Sequence, residues 1–342
     1  MQQFDYLVFI GRFQPFHAGH KMVMDSALSL SKRVIIVLGS HNQPRSFTNM
    51  WLSHERQHMI LSCYSKEEQS RIDFAYQETF AYNNNKWVAS IQNQVDDIIH
   101  KEGRVGPAKV GLIGHAKDYT SYYLKLFPTW KSVNVAASIL TNATDTRVEL
   151  METKEFKGHN LLPTVIEYIK KWKYHNVHDY ALMKKEYEHI KTYKEAWKTA
   201  PYAPTFVTAD SVVVQSGHIL LVTRKFMPGE GLLALPGGFI KEYELIVDAV
   251  IRELKEETKL KVPIPVLKGS IKEIRVFDAP YRSQRGRTIT HAAYIHLQDA
   301  TELPKVTARD DAKYAAWYEL GTLQRNNMFE DHYDIIDEMV NL

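Results

Sequence analysis

"FIGRFQPFHAGH", residues 9–20, decides the fold of the first part of the chain. An apolar run that starts at residue 6 ends at a glycine, and a proline follows before two histidines that lie three residues apart. A short apolar run of this kind predicts a strand that is buried on both faces of a parallel sheet. A turn leading directly into a helix presents unpaired N–H groups and a positive dipole, which favours phosphate binding. The alternative is an ordinary connecting loop that contains histidine.

Further apolar runs continue an alternation of strand and helix. The predicted strands are residues 6–10, 33–39, 108–114 and 133–138. The predicted helices follow residue 20 and span residues 87–99, with apolar stripes at Val23, Ala27 and Leu30 and at Ile91, Val95 and Ile98. This alternation predicts a parallel α/β sheet, in which ligands bind at the carboxyl ends of the strands. The quoted stretch lies at such an end.

Length and charge limit the classes of function. A chain of 342 residues suits two domains. Its 43 basic and 40 acidic side chains leave a net charge of +3, which does not favour nucleic-acid binding. The single cysteine, Cys63, allows no internal disulfide and fits a reducing compartment. The longest apolar runs have strand length, and no signal-peptide pattern is seen. We expect a soluble cytoplasmic protein without a nucleic-acid or membrane partner, and we leave a homo-oligomer open.

Two motifs resemble those of the nucleotidyltransferase α/β phosphodiesterase superfamily. Gly11, Pro15, His17 and His20 fit its G-x-x-x-P-x-H-x-x-H signature. "TNATDTR" (141–147) resembles its second phosphate-binding signature, S/T-x-x-R. The resemblance implies that His17 and His20 stabilise the α-phosphate of ATP and that Arg147 stabilises the leaving pyrophosphate. The implied ATP-binding residues are Gly11, Phe13, His17, His20, Thr144 and Arg147.

Three further stretches resemble nicotinamide mononucleotide (NMN) adenylyltransferases of the archaeal type. "NMWLSHER" (49–56) is similar to their N-P-[FW]-[ST]-x-x-E-R segment, with Met50 where proline is usual. "YNNNKWV" (82–88) is similar to the segment whose Trp stacks on nicotinamide, and residues 114–128 resemble a strand-end loop of this family. The resemblance implies that Arg56, Trp87 and Asp118 bind NMN. Trp87 also heads an apolar helical stripe, so a role in the core is the alternative.

A Lys-, Tyr- and Glu-rich segment separates this part from the rest. Residues 165–200 have helical apolar spacing and mixed charge, which is typical of a solvated helix rather than a nucleic-acid site. Pro201 and Pro204 end that helix. We therefore predict a first domain over residues 1–175, a helical linker over 176–203 and a second domain over 204–342.

One acidic motif dominates the second domain. Glu253, Glu256 and Glu257 occupy one sector of a helix, where their mutual repulsion favours a bound divalent cation such as Mg²⁺ or Mn²⁺. With the residues before them, they resemble the Nudix box, G-x5-E-x7-R-E-U-x-E-E, in which Gly238 is the first residue. The resemblance implies that the three glutamates hold the metal and that Glu256 and Glu257 are catalytic. Lys259 stands where that family has the glycine of a left-handed helix end.

A basic segment at residues 277–295 resembles Nudix proteins of the ADP-ribose class. The resemblance to these Nudix proteins implies that ADP-ribose contacts Gly238, Arg282, Arg285 and Arg287. The combined resemblance implies a Rossmann-like nucleotidyltransferase domain followed by an α+β Nudix-fold domain. It also implies two reactions, the synthesis of NAD⁺ and pyrophosphate from ATP and NMN, and the metal-dependent hydrolysis of ADP-ribose to AMP and ribose 5-phosphate. The alternative is adenylyl transfer to another phosphate ester, such as pantetheine phosphate, beside a non-catalytic ADP-ribose sensor.

Overall fold

The structure is a computed structural model that describes residues 3–101, 103, 106–114, 123–135 and 142–342. Its contacts divide the chain into two compact units, Met1–Lys184 and Lys185–Leu342. The division falls within a helix, about twenty residues before the predicted break at Pro201 and Pro204. The domain boundaries given above therefore stay a prediction. Among the described residues, no helix is both long enough and apolar enough to cross a membrane.

The first unit contains a parallel sheet of five strands in the order β3-β2-β1-β4-β5. The strands are β1 (Phe4–Gly11), β2 (Ser31–His41), β3 (Ile72–Glu78), β4 (Val110–Gly114) and β5 (Lys131–Asn134). The central strands are apolar because helices cover both faces, and Leu7, Val8 and Ile35 are fully buried. This confirms the predicted Rossmann-like sheet. Strand β3 is an addition, and residues 136–138 of the predicted last strand lie outside the described residues.

Seven helices are described in or starting within this unit. They are α1 (Ala18–Leu30), α2 (Ser53–Leu61), α3 (Lys66–Gln69), α4 (Asn84–Lys101), α5 (Ala143–Glu152), α6 (Pro163–His175) and α7 (Val177–Ala196). The predicted stripes pack inward at Val23, Ala27, Ile91 and Val95, which are buried. The Lys-, Tyr- and Glu-rich segment, residues 165–200, forms most of α6 and all of α7 rather than one helix, because Asn176 interrupts it with a non-helical backbone.

The second unit contains a mixed sheet in the order β10-β11-β6-β7-β12, with β8 paired to β7 and β9 paired to β6. Its strands are β6 (Thr205–Gln215), β7 (His218–Arg224), β8 (Leu233–Ala234), β9 (Gly237–Phe239), β10 (Ile271–Phe277), β11 (Arg287–His296) and β12 (Ala312–Glu319). The predicted hairpin joins β6 to β7 through Ser216 and Gly217, whose positive φ angles of 47° and 72° match a type I′ turn. Strand β11 pairs with β6 in parallel, which makes the sheet mixed.

The helices of the second unit are α8 (Ile246–Thr258), α9 (Ile264–Gly269) and α10 (His332–Val340). Helix α8 buries Val250, Ile251 and Leu254 in a core that includes Ala209 and Val213 of β6. Each of these five apolar side chains is at most 3% exposed. Packing through this stripe fixes the rotation of α8 and so fixes where its glutamates point.

Candidate active sites

The turn between β1 and α1 brings Gly11 and the ring of Phe13 into contact. A Cβ atom on Gly11 would lie 2.8 Å from the Phe13 ring, closer than a methyl group can approach. Phe13 itself has a positive φ of 49°, and its ring packs edge-on against His20 at 4.8 Å between centroids. Both residues therefore shape the predicted ATP loop, and this turn requires a residue without a Cβ at position 11.

The two histidines form a closely packed pair at the start of α1. His17 is the N-cap, and its Nδ1 accepts a hydrogen bond from the backbone N–H of His20 at 3.3 Å. The Nδ1 of His20 accepts from the N–H of His17 at 3.4 Å, and the rings stack at 3.6 Å. Burial, and secondly the charge of His17, hold the pKa of His20 well below its usual value. A neutral ring whose Nδ1 accepts carries its proton on Nε2, so it can donate to a phosphate oxygen.

Arg147 on α5 reaches the same turn. Its Nη1 donates to the backbone oxygen of Gln14 at 2.5 Å, and its Nη2 donates to Thr144 Oγ1 at 3.0 Å. Its Nε is buried and has no hydrogen-bond partner among the described residues. Burial, and then the charge of Arg12, lower the pKa of Arg147 to about 10. The structure thus places the two predicted phosphate motifs beside each other.

Arg12 is a candidate residue that the sequence motifs did not single out. Burial is the main cause that lowers the pKa values of Arg56 and Arg147, and the charge of Arg12 adds to the effect on each, so Arg12 lies close enough to repel both. Glu55 acts in the opposite direction on Arg56. A group of arginines in a partly desolvated turn is stabilised when an anion binds, and a polyphosphate has the required charge. The sequence does hold a clue to Arg12, because it directly follows Gly11, the glycine at the end of the strand.

Arg56 lies deep in the structure and holds together the ends of two strands. Its Nη1 donates to the backbone oxygens of Arg12 (2.6 Å) and Gly39, and its Nη2 donates to Ser40 O at 3.1 Å and Ser53 Oγ at 3.0 Å. The side chain is 1% exposed. These contacts anchor α2 beneath the strand ends. Direct contact between Arg56 and NMN stays a prediction.

Trp87 lies in the first turn of α4 and is half-buried. Its ring contacts Tyr123 at 6.3 Å and Phe127 at 5.9 Å between centroids, at the border of the core of the first unit. These contacts suit a core residue and equally suit a rigid wall for an aromatic ligand, so the NMN role of Trp87 stays a prediction. Asp118 lies outside the described residues.

In the second unit, Arg252 organises the acidic motif on α8. It donates to both oxygens of Glu244 at 2.6 and 2.7 Å, to Glu253 Oε1 at 2.6 Å and to Glu256 Oε2 at 3.0 Å. The bidentate pair with Glu244 joins the preceding loop to the helix. Hydrogen bonding to Arg252 lowers the pKa of Glu244 to about 2. The arginine within the motif therefore orients three carboxylates.

Glu257 is buried, and its carboxylate bonds to strand β9. Its Oε2 accepts from the backbone N–H of Gly237 at 3.1 Å. Burial is the main cause that raises its pKa to about 8, and the charges of Glu253 and Asp210 add to the effect. The glycines of β9 lie close to these acids, since a Cβ on Gly238 would lie 2.6 Å from Glu253 Oε1 and one on Gly237 would lie 2.1 Å from Asp210 Oδ1. A Cβ at position 237 would also meet the backbone oxygen of Ala209 at 2.6 Å, so that position excludes one, whereas a Cβ at position 238 would displace the Glu253 carboxylate.

A cavity of about 350 Å³ opens beside these acids. Five predicted site residues line it, namely Gly238, Glu253, Glu257, Arg282 and Arg285. Titratable residues that the sequence analysis missed also line it, among them Asp210, Arg224, Glu330 and His332. Glu256 and Arg287 are not among its lining residues. The cavity is therefore lined by both acidic and basic side chains, which suits a metal-bound diphosphate.

The three predicted arginines have different surroundings. Arg282 is buried in a bidentate ion pair with Asp331, both bonds being 2.9 Å long. Arg285 lies over the ring of Phe239 at 5.5 Å and lines the cavity. Arg287 donates to the backbone oxygen of Asp278 and, at 3.3 Å, to its carboxylate. Of the three, Arg285 is the one placed to contact a diphosphate without giving up a strong ion pair.

Comparisons with known proteins find relatives for each unit. The cytidylyltransferase-like family model matches residues 8–159, and the NUDIX domain model matches residues 205–339. The nicotinamide/nicotinic acid mononucleotide adenylyltransferase of Acinetobacter baylyi is 49% identical over 135 residues, which are 40% of this chain and 69% of that protein. The ADP-ribose pyrophosphatase of Methanocaldococcus jannaschii is 34% identical over 137 residues, 40% of this chain and 74% of that protein.

A solved structure is similar over both units. It is a bifunctional NMN adenylyltransferase/ADP-ribose pyrophosphatase from Francisella tularensis, complexed with AMP and a manganese ion. The TM-score is 0.90 at 33% identity, and the match covers 99% of each chain. This chain belongs to the same family. It is a bifunctional nucleotidyltransferase/Nudix enzyme.

Nudix enzymes require a divalent metal, and the cavity of this family member has suitable ligands. Glu253 and Glu257 both line it, and burial raises the pKa of Glu257, with the nearby charges of Glu253 and Asp210 adding to an effect that a cation would oppose. Among the described residues, no group of three or more His, Cys, Asp or Glu side chains is placed together as a metal site. Glu256 is directed to Arg252 instead. Two carboxylates leave coordination positions for water and phosphate, as hard divalent cations prefer.

Proposed function

We propose that the first unit transfers the adenylyl group of ATP to NMN, giving NAD⁺ and pyrophosphate. We propose that the second unit hydrolyses ADP-ribose to AMP and ribose 5-phosphate. The observation that carries the first proposal is the convergence of His17, His20 and Arg147 on one turn at the carboxyl end of β1. The second rests on the cavity that joins two acids of the Nudix box to Arg285.

Adenylyl transfer needs positioning and charge stabilisation rather than a protein nucleophile. A phosphate oxygen of NMN attacks the α-phosphorus of ATP, and the bond from that phosphorus to the bridging oxygen breaks as pyrophosphate leaves. The Nδ1 atoms of His17 and His20 accept backbone hydrogen bonds, so their Nε2–H groups donate to the α-phosphate, where negative charge develops. Arg147, joined by Arg12, balances the charge on the departing pyrophosphate. Thr144 holds the guanidinium of Arg147 in place.

Hydrolysis of ADP-ribose adds water across its diphosphate bridge. Glu253 and Glu257 would hold the divalent cation, Mg²⁺ or Mn²⁺, which when bound stabilises negative charge on the diphosphate. Arg285 binds the diphosphate, and Arg282, which also lines the cavity, is held in place by Asp331. Glu256 contributes through Arg252, which it helps to fix. ATP, NMN, NAD⁺ and ADP-ribose are thus the proposed ligands, and a cytoplasmic location remains our prediction.

Separating the two activities tests this proposal. His20→Ala should abolish NAD⁺ formation and leave ADP-ribose hydrolysis unchanged, because His20 is confined to the first unit. Glu257→Gln should have the reverse effect. His58→Ala and Glu242→Gln are matched controls, because both side chains are exposed and lie outside the sites. A folded variant that loses both activities would refute the assignment of one reaction to each unit.

The substrates are tested on the wild-type protein. With ATP and a panel of phosphate esters that includes pantetheine phosphate, NMN should be the preferred acceptor. With Mg²⁺ or Mn²⁺, ADP-ribose should have a higher kcat/KM than NAD⁺, NADH or nucleoside triphosphates and should yield AMP and ribose 5-phosphate. Binding of ADP-ribose without any turnover would identify the second unit as a sensor instead.

A further inference from the structure

The side-chain amide of Gln14 is buried between two loops of the first unit. It is 2% exposed, and its Nε2 donates to Asn49 Oδ1 and to the backbone oxygen of Trp51, each at 2.8 Å. Its Oε1 accepts from the backbone N–H of Trp51 at 3.0 Å. Both amide hydrogens are therefore used, and the side chain pairs with the backbone of Trp51 much as a neighbouring strand would.

The backbone of the same residue supports the phosphate side of the site. Gln14 lies three residues before His17, and its carbonyl oxygen accepts from Arg147 Nη1 at 2.5 Å. The histidine turn, the residues around Trp51 and the arginine on α5 are distant in sequence. Gln14 makes direct hydrogen bonds to two of these segments and belongs to the third.

The segment around Trp51 is held firmly on its other side as well. Arg45 Nη1 donates to the Met50 oxygen at 2.8 Å, and the Leu52 N–H donates to Glu55 Oε2 at 2.7 Å. Because its flanking residues are fixed in this way, the segment can be placed accurately against the histidine turn by one further contact. The Gln14 amide supplies that contact.

We propose that Gln14 is a positioning residue for adenylyl transfer. It sets the distance between the turn that holds ATP and the segment over residues 49–56 that approaches NMN, and it fixes Arg147 relative to both. This inference rests on the function proposed above for the first unit. In-line attack depends on the separation and angle of the two substrates, so a small displacement of one loop lowers the rate even when each substrate still binds.

Gln14→Met tests this role, because methionine has a similar length and no hydrogen-bonding amide. We expect kcat for NAD⁺ formation to fall about tenfold or more, and KM for ATP to change by less than about threefold, since the histidine contacts remain. KM for NMN should rise more than KM for ATP. Hydrolysis of ADP-ribose, measured on the same preparation, should be unchanged.

Gln94→Met is the matched control. Gln94 is also an amide that joins two elements, since its Oε1 accepts from the Tyr76 N–H at 2.8 Å and so ties α4 to β3. It lies in none of the segments assigned to substrate, so its loss should leave kcat within about twofold of wild type. Urea unfolding of both variants shows whether they lose similar stability, and all assays are run below the unfolding transition.

The proposal is overturned if Gln14→Met keeps kcat and both KM values within twofold of wild type. It is also overturned if Gln94→Met of similar stability loses as much kcat, because the effect would then come from stability alone. Should Gln14→Met not fold, Gln14→Glu keeps the shape and the acceptor for Trp51 N–H but loses both donors, and the same split between kcat and KM is expected. A wild-type protein that forms no NAD⁺ would refute the proposed function itself, which is a different result.

Discussion

Glu257→Gln should stabilise the metal-free protein at alkaline pH while it abolishes ADP-ribose hydrolysis. Glu257 is 7% exposed, and burial together with Glu253 and Asp210 raises its pKa from 4.5 to about 8. In the unfolded chain the same carboxyl titrates near its ordinary value. The folded protein therefore retains a proton that the unfolded chain releases between pH 4.5 and 8, and its stability falls as the pH rises through that range.

The magnitude follows from the shift in pKa. Each pKa unit corresponds to about 1.4 kcal/mol, so a rise from 4.5 to 8 lowers the free energy of unfolding by about 5 kcal/mol once Glu257 is fully ionised. Between pH 6 and pH 8 the same relation predicts a loss of about 2 kcal/mol. Glutamine is isosteric, can still accept from the Gly237 N–H and does not titrate, so the variant lacks this loss.

Urea titrations at intervals from pH 5.5 to 8.5, with a chelator present, measure the effect. The free energy of unfolding of Glu257→Gln minus that of wild type should grow by about 2 kcal/mol from pH 6 to pH 8. Added Mn²⁺ should remove the difference, because a cation favours the ionised carboxylate. Glu256→Gln is the control on the same helix, where the carboxylate is 43% exposed and paired with Arg252. Parallel pH profiles for wild type and Glu257→Gln would refute the reasoning.

Three further predictions concern other residues. Trp87→Ala should weaken NMN binding by about 1–3 kcal/mol and ATP binding much less, by analogy with base stacking. Calorimetry measures both affinities, and equal losses would assign Trp87 to the core. Arg285→Ala should lower kcat/KM for ADP-ribose by about 10-fold to 100-fold, as expected for a lost charge-assisted hydrogen bond. Arg287→Ala should change kcat/KM little, because the side chain of Arg287 is bonded to Asp278. Lys259→Gly should raise the free energy of unfolding by about 1 kcal/mol in urea titrations, since Lys259 ends α8 with a positive φ of 47°. An unchanged free energy of unfolding would show that the lysine is not strained.

In the first unit, the sequence predicted four of the five described strands and missed β3. Strands β1 and β2 are continuous apolar runs because helices cover both sides of them. Strand β3 lies at the edge of the sheet and mixes buried and partly exposed residues, so its composition resembles that of a loop. The Nudix helix was predictable for a different reason, since its carboxylates and its apolar stripe follow one helical period.

Site residues were predictable where a local motif brings them together and were missed where the fold does so. Glu253 and Glu257 lie on one helix, and their shared sector follows from their spacing. Asp210 on β6 and His332 on α10 reach the same cavity only through the pairing of distant strands and the packing of α10, which no short motif encodes. The predicted contact of Arg287 with ADP-ribose stays a prediction, because a basic segment indicates positive charge but not which arginine meets the ligand.

Met50 shows how a departure from a motif can be judged only once the contacts are known. Prolines lack an N–H, so a proline suits this position only if the amide is not needed. The neighbouring groups are all used: the Met50 oxygen accepts from Arg45, and the Trp51 and Leu52 N–H groups donate to Gln14 and Glu55. Within the described part of the chain, the Met50 N–H itself donates to no acceptor. The loop is therefore held by contacts that methionine and proline share, and Met50 leaves the geometry around Gln14 intact.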